Sequence, residues 1–191
     1  VLVQNLAPGS TRKMGLSYAD LESQFPQLIV CNISGYGVDG PYRSKKAYDL
    51  LVQAEAGFLS VTGNGDDMVK SGISIADIAA GTQAQVAILA ALIQRSKTGS
   101  GSNIDISMLE AMVEWMGFPL YYAYDGAQPP ARTATDHASI YPYGAFSTGD
   151  EKIIMLGIQN EREWEAFCCD VMEQATLISD ERFKANTLRS D

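Results

Sequence analysis

Histidine is almost missing from this chain: His137 is the only one in 191 residues. That excludes metal sites built from several imidazoles. A Ser-His-Asp hydrolase would have to use this one ring, and no G-x-S-x-G elbow accompanies it. Cysteine is scarce too. Cys31, Cys168 and Cys169 are odd in number, two are adjacent, and none has metal-ligand spacing. No disulfide framework and no metal site are expected, and a reducing compartment is, the cytoplasm or the mitochondrial matrix. Cations are in deficit, 14 Lys and Arg against 23 Asp and Glu, a net charge of −9. A nucleic-acid partner would need dense Lys and Arg and is excluded. The longest unbroken apolar run in the central region, Val86 to Ile93, is too short for a bilayer, and no signal peptide is visible.

What is present suits a packed enzyme core. Apolar residues make up 46% of the chain, which argues against disorder. The length allows one domain or one and a half. Charge is uneven: residues 1–46 hold Arg12, Lys13, Arg43, Lys45 and Lys46 against only Asp20, Glu22 and Asp39. This basic stretch suits a small phosphorylated ligand. The chain opens on Val1-Leu2-Val3 without Met and closes on Arg189-Ser190-Asp191 after an unfinished helical pattern. A piece of a longer protein is expected.

Strand-like Val1–Gln4, a turn through Pro8-Gly9, a short helix capped by Ser17, and apolar 28–34 together predict a strand-helix-strand unit and a parallel sheet. A helical pattern follows at 47–56, stopped by Gly57. The central stretch 71–95 is Ala-rich and predicts a buried helix. A strand at 103–106 and a helix at 108–124, capped by Ser107, complete an α/β domain. Residues 125–134, with Gly126, Pro129 and Pro130, read as a linker. Residues 135–191 read as the start of a smaller α+β domain, with a hairpin around Thr148-Gly149-Asp150. An amphipathic helix at 161–172 then turns Trp164, Phe167 and Val171 inward.

Gly35-Tyr36-Gly37-Val38-Asp39-Gly40 satisfies G-x-G-x-x-G after a strand, but Pro41-Tyr42-Arg43-Ser44-Lys45-Lys46 follows instead of an apolar helical stripe. An ordinary glycine turn is the better reading than a dinucleotide site. Arg12 and Lys13, and Arg43, Lys45 and Lys46, follow two strand ends. In an open parallel sheet, ligands gather there, so both clusters are candidates for one phosphate-binding crevice. Asp77 is the single charge between Lys70 and Arg95. An Asp at a helix start is a favoured cap, with the helix beginning just after it. It is also a carboxylate able to act as a nucleophile on an electrophile held against it. The residues alone leave both roles open.

Six ordered motifs carry a resemblance. They are Asn5-Leu6-Ala7-Pro8-Gly9 with Met14-Gly15-Leu16; Ile33-Ser34-Gly35-Tyr36-Gly37 with Gly40-Pro41-Tyr42; Tyr48-Asp49-Leu50 with Gln53-Ala54 and Gly57; Ile75-Ala76-Asp77-Ile78 with Gly81; Thr98-Gly99-Ser100-Gly101 with Asp105-Ile106-Ser107; and Tyr141-Pro142-Tyr143-Gly144. In this order they resemble the family III CoA-transferases, the group of formyl-CoA and carnitine CoA-transferases and 2-methylacyl-CoA racemases. The resemblance covers nearly the whole chain and only the middle of a family chain. It implies part of a Rossmann-like large domain and an interlocked homodimer. It also implies CoA thioesters as substrates, with no tightly bound cofactor.

The resemblance makes Asp77 the nucleophile, passing through an aspartyl anhydride and an aspartyl-CoA thioester. It assigns CoA binding to Asn5, Lys13, Lys46, Ala47, Tyr48 and Asp49. Lys13 and Ala7 stand where Arg is usual, so the 46–48 segment matches better. His137, Ser139 and Tyr141 fall on a lid over the acceptor acid, and Gln159 lines the same pocket. The partners implied are an acyl-CoA, succinyl-CoA among the candidates, and a small carboxylic acid such as a dicarboxylate. Tyr48 stands where the racemases have a histidine. A tyrosine is a poor base at neutral pH, which disfavours the alternative of an α-proton isomerase. A non-catalytic CoA-binding fragment is the third reading.

Overall fold

The run Ile29-Val30-Cys31 is fully buried, and the strand it opens is the middle of the only parallel sheet among the described residues. A computed structural model describes residues 1–190. In chain order the elements are β1 (Leu2–Gln4), α1 (Ser10–Lys13), α2 (Tyr18–Leu21), β2 (Ile29–Ser34), α3 (Asp49–Glu55), α4 (Phe58–Val61), β3 (Gly63–Asn64), β4 (Asp67–Met68), α5 (Ile75–Thr98) and β5 (Ser102–Ser107). They continue as α6 (Met108–Met116), α7 (Phe118–Tyr122), β6 (Tyr143–Ser147), β7 (Ile153–Gly157), α8 (Glu161–Ala166) and α9 (Asn186–Arg189). Two compact units divide them. One is Val1–Thr62 with Val69–Pro129; the other is Gly63–Met68 with the chain from Pro130 onward.

In the first unit the sheet order is β1-β2-β5, all parallel, with Leu2 beside Val30 and Cys31 beside Ile104. The α/β class expected from the sequence is the one observed. Ser17 starts α2 in a capping box with Asp20, as its position predicts. Ser107 Oγ accepts the Glu110 amide at 3.3 Å and starts α6 directly from β5.

The central helix departs from expectation in three ways. It begins at Ile75 with Ser74 as its N-cap, so Asp77 lies inside the first turn and is not the cap. Second, the helix is buried on one face only. Ala76, Ala79, Ala80, Ala84 and Ala91 are its buried residues, while Ile78, Val86, Leu89 and Ile93 are exposed. Alanine lets α5 lie close on β2, β5, α3 and α6, and the long aliphatics point the other way. Third, α5 is long and apolar enough to cross a membrane by length and composition, which the shorter Val86–Ile93 run did not suggest.

Two clusters seat the helix. Ala76 packs with Val52, Ala56 and Met112. Ala79 and Ala80 pack with Ala111 against Ile33, Ile106 and Met108. Gly99 ends α5 in the left-handed region, φ 71°, where a glycine costs least. The helix expected over 108–124 breaks in two. Gly117 takes φ 58° and ψ −131°, outside helical space, and Pro119 sits at the start of α7.

The second unit holds the β6–β7 hairpin, in register from Tyr143–Gly157 to Ser147–Ile153. Its core is Ile158, Trp164 and Cys168, with Leu156, Phe167, Leu177, Ile178 and Phe183 around them. The short β3–β4 hairpin belongs here too, bridged through Asn64 to Thr133. Val171 is 66% exposed, against expectation. A π-helical turn at Phe167–Val171 adds a residue to the winding, which rotates Val171 off the face that Trp164 buries.

Candidate active site

The loops that follow β1 and β2 face one cavity of about 650 Å³, built wholly from the first unit. Parallel strands release their chains at the same edge of the sheet, so Asn5–Pro8 after β1 and Gly35–Tyr36 after β2 meet there. The wall opposite comes from the start of α3 and the first two turns of α5, which bring Lys46, Ala47, Tyr48, Asp49, Asp77 and Gly81 to the same space. Asn5, Lys46, Ala47, Tyr48, Asp49 and Asp77, named separately from sequence, are thus assembled in one place. Lys13 is not. It is exposed on α1 and outside the lining of this cavity and of the neighbouring one. That neighbour, about 580 Å³, takes Arg12 instead and shares Arg43 with the first.

The close approach of Ala47 depends on Gly35. A Cβ placed on Gly35 would collide with the Ala47 Cβ. After Gly40, at φ 80°, the chain runs through turns into the Lys46 segment with no helix, so the G-x-G-x-x-G spacing has no dinucleotide-binding context.

The cationic cluster divides by partner. Lys45 is paired to Glu55 and lies 4.1 Å over the Tyr42 ring and 5.2 Å from the Tyr36 centroid. Arg43 donates to the Gly40 carbonyl at 3.3 Å. Lys46 has no hydrogen-bond or ion-pair partner among the described residues and Arg43 has no carboxylate partner among them, so both are left for an anionic ligand in this cavity, Lys46 with all its donors.

Asp77 is the reactive candidate. Its carboxyl is raised above the ordinary Asp value, first by partial desolvation and second by repulsion from Asp49. A helix N-terminus by itself would lower the value of a carboxylate in its first turn; the shift at Asp77 runs the other way. A carboxylate stabilised less by its surroundings is the stronger nucleophile. Asp49 meanwhile caps α5 from outside it. Its Oδ1 accepts the Ala76 amide at 2.8 Å and the Asp77 amide at 3.4 Å. Gln53, fully buried, donates to Asp49 Oδ2 and accepts the Ser71 amide at 2.9 Å. Gln53 stands in one of the ordered motifs, yet the sequence assigns it no role in the site. The signal was there: Asp49 and Gln53 are four apart on one helix, and Gln53 adjoins Leu50-Leu51-Val52 where an apolar residue would suit.

His137, Ser139, Tyr141 and Gln159 all lie in the second unit. His137 Nδ1 accepts the Ser139 amide at 3.1 Å, and its ring meets Tyr143 edge-on. Tyr141 is tied through its amide to Asn186 and through its carbonyl to buried Arg189. It borders an apolar cavity of about 430 Å³ with Phe146, Trp164 and Phe167. The Gln159 amide donates to Glu163 at 2.8 Å, fixing the turn before α8. Among the described residues no group of three His, Cys, Asp or Glu could hold a metal ion.

The family model for CoA-transferase family III matches residues 1–191. This chain belongs to CoA-transferase family III. Human succinyl-CoA:glutarate CoA-transferase is 37% identical over 191 residues, covering 99% of this chain and 43% of that protein. Succinate–glutarate CoA-transferase of Agrobacterium fabrum is 33% identical, covering 99% and 47%. Among solved structures, a CAIB/BAIF family protein from Brucella suis superposes with a TM-score of 0.80 at 32% identity, covering 98% of this chain and 49% of that one. The chain therefore spans about half the length of the family III members it matches.

Proposed function

We propose that the protein containing this chain moves CoA from an acyl-CoA donor to a carboxylic acid, with Asp77 as the nucleophile. The observation that carries this is the placement of Asp77 in one cavity with an unpaired Lys46 and with the loops that follow two parallel strands. A carboxylate oxygen of Asp77 adds to the thioester carbonyl, and the C–S bond breaks. This leaves a mixed anhydride and CoA thiolate. The thiolate attacks the aspartyl carbonyl and releases the donor acid, leaving an aspartyl-CoA thioester. An acceptor carboxylate then reverses both steps. Dividing one acyl exchange into steps of similar difficulty is the logic of covalent catalysis.

Lys46 supports binding of the CoA phosphates. The names of the similar proteins favour succinyl-CoA as donor and a dicarboxylate of the glutarate class as acceptor. We assign His137, Ser139, Tyr141 and Gln159 to the acceptor side; His137→Ala should raise the KM for the acid more than that for the acyl-CoA. The exposed stripe Ile78, Val86, Leu89 and Ile93 supports a homodimer that covers it, which sedimentation of the full-length protein tests. Free thiols at Cys31, Cys168 and Cys169 support a reducing compartment such as the cytoplasm. Tyr48 at the mouth of α3 favours transfer over racemisation, because a phenol is a poor base at neutral pH.

The deciding experiment uses the full-length protein with succinyl-CoA and glutarate. Asp77→Ala and Asp77→Asn should abolish exchange, and hydroxylamine during turnover should leave a hydroxamate at Asp77 in the mass spectrum. Turnover retained by Asp77→Ala defeats the assignment.

A further inference from the structure

We infer that Asp49 and Gln53 are positioning residues that hold Asp77 in place for attack. The inference rests on Asp77 being the nucleophile. The Asp77 carboxylate has no hydrogen-bond partner among the described residues, so its place is set by its backbone. That backbone lies in the first turn of a helix, where four amides lack intrahelical acceptors and fraying begins. The usual remedy is a side chain at the N-cap. Ser74 occupies that position and makes no cap bond. Asp49 supplies the acceptor instead, from a different helix, to the Ala76 amide and to the amide of Asp77 itself.

Asp49 is in turn held. Gln53, one turn along α3, binds its other oxygen and reaches the Ser71 amide on the chain leading into α5. Both ends of the segment 71–77 are therefore tied to α3 by two side chains. Beneath them Val52, Met112 and Ala76 pack together, which keeps α3 and α5 in one rigid piece. Gln53 is fully buried and lines none of the cavities described above. Whatever it contributes to turnover passes through Asp49 and the backbone.

The two possible duties of Asp49 separate in kinetics. A contact to CoA acts on KM, whereas positioning acts on kcat. Displacement of a reacting group by about 1 Å costs about a hundredfold in rate. In the full-length protein, Gln53→Met and Asp49→Ala should each lower kcat by about tenfold to a hundredfold. The KM for acyl-CoA should stay within about threefold, and hydroxylamine trapping at Asp77 should slow in parallel. Asp49→Asn keeps an oxygen at the capping position but not the acceptor for Gln53, and should recover kcat in part, above Asp49→Ala. CoA titration verifies that each variant is folded. If Asp49→Ala does not fold, Gln53→Met against Asp49→Asn still decides. A wild-type kcat in Gln53→Met, or a loss confined to KM in Asp49→Ala, overturns the inference while Asp77→Ala remains inactive. Activity in Asp77→Ala overturns the nucleophile reading, and this inference with it.

Discussion

Asp49 Oδ1 stands 3.4 Å from the amide nitrogen of Asp77, so the residue proposed as nucleophile is anchored by a second carboxylate. One group thus fixes the backbone of Asp77 and repels its side chain. The repulsion is the second cause of the raised Asp77 value, after desolvation.

The pH profile should show this. The proposed nucleophilic attack needs Asp77 ionised, and its folded value lies above the ordinary carboxylate range. Activity is therefore full above that raised value and lost as pH falls through it. The acidic limb of kcat/KM should lie above an ordinary Asp. Asp49→Asn removes the repulsion and leaves the desolvation, so the limb should move to lower pH without reaching the ordinary value. An unmoved limb in Asp49→Asn would show that Asp49 does not act on the charge of Asp77.

Lys46 should behave as a binding residue. Lys46→Ala is expected to raise the KM for acyl-CoA about tenfold, the worth of one charge-assisted contact, with kcat within about twofold. Raising the ionic strength should narrow the gap between variant and wild type, since the lost interaction is screened. Lys45→Ala, by contrast, loses the Glu55 pair and the two aromatic rings, and its effect should appear in melting temperature before KM.

Two glycines at the cavity should respond in opposite directions. Gly35→Ala forces a methyl into the Ala47 Cβ and should destabilise the fold by about 1–3 kcal/mol while displacing the Lys46–Asp49 segment. Gly81 has open space around its position and sits within α5. Gly81→Ala should stabilise by up to about 1 kcal/mol through helix propensity, yet narrow the cavity it lines and lower turnover. Denaturant melts beside steady-state assays distinguish the two.

In the second unit, Glu161 binds the buried Arg189 guanidinium through both oxygens, at 2.8 and 3.2 Å. Its carboxyl is held below the ordinary Glu value, first by that hydrogen bonding. The stabilisation is present above the ordinary Glu value and fades as pH falls through the lowered one. Glu161 is half exposed, so Glu161→Gln should cost about 1 kcal/mol, below the 3–5 typical of a fully buried pair. Thermal melts at neutral and acid pH should show the variant and wild type converging in acid.

The amino-acid sequence determined the parallel α/β class, the strands and helices that build its sheet and cover, and the caps at Ser17 and Ser107, because these follow from local periodicity and short-range hydrogen bonding. It also picked out Asp77, as a lone charge in a long uncharged stretch, and the Lys46–Asp49 segment through ordered motifs. Where α5 starts was not legible. Its cap comes from Asp49, 27 residues before Ala76, and no local pattern records an acceptor supplied from another helix. The exposure of Val86, Leu89 and Ile93 was hidden for a similar reason: alanines and long aliphatics both count as apolar, and only packing shows which face meets the sheet. Lys13 and Lys46 looked alike in sequence, each a cation after a strand, and the path of α1 carried one away from the cavity that holds the other. Tertiary structure alone decided which charges were already paired, which carboxylate caps α5 and which lines the cavity without a hydrogen-bond partner among the described residues, because those outcomes depend on distances between segments remote in the chain.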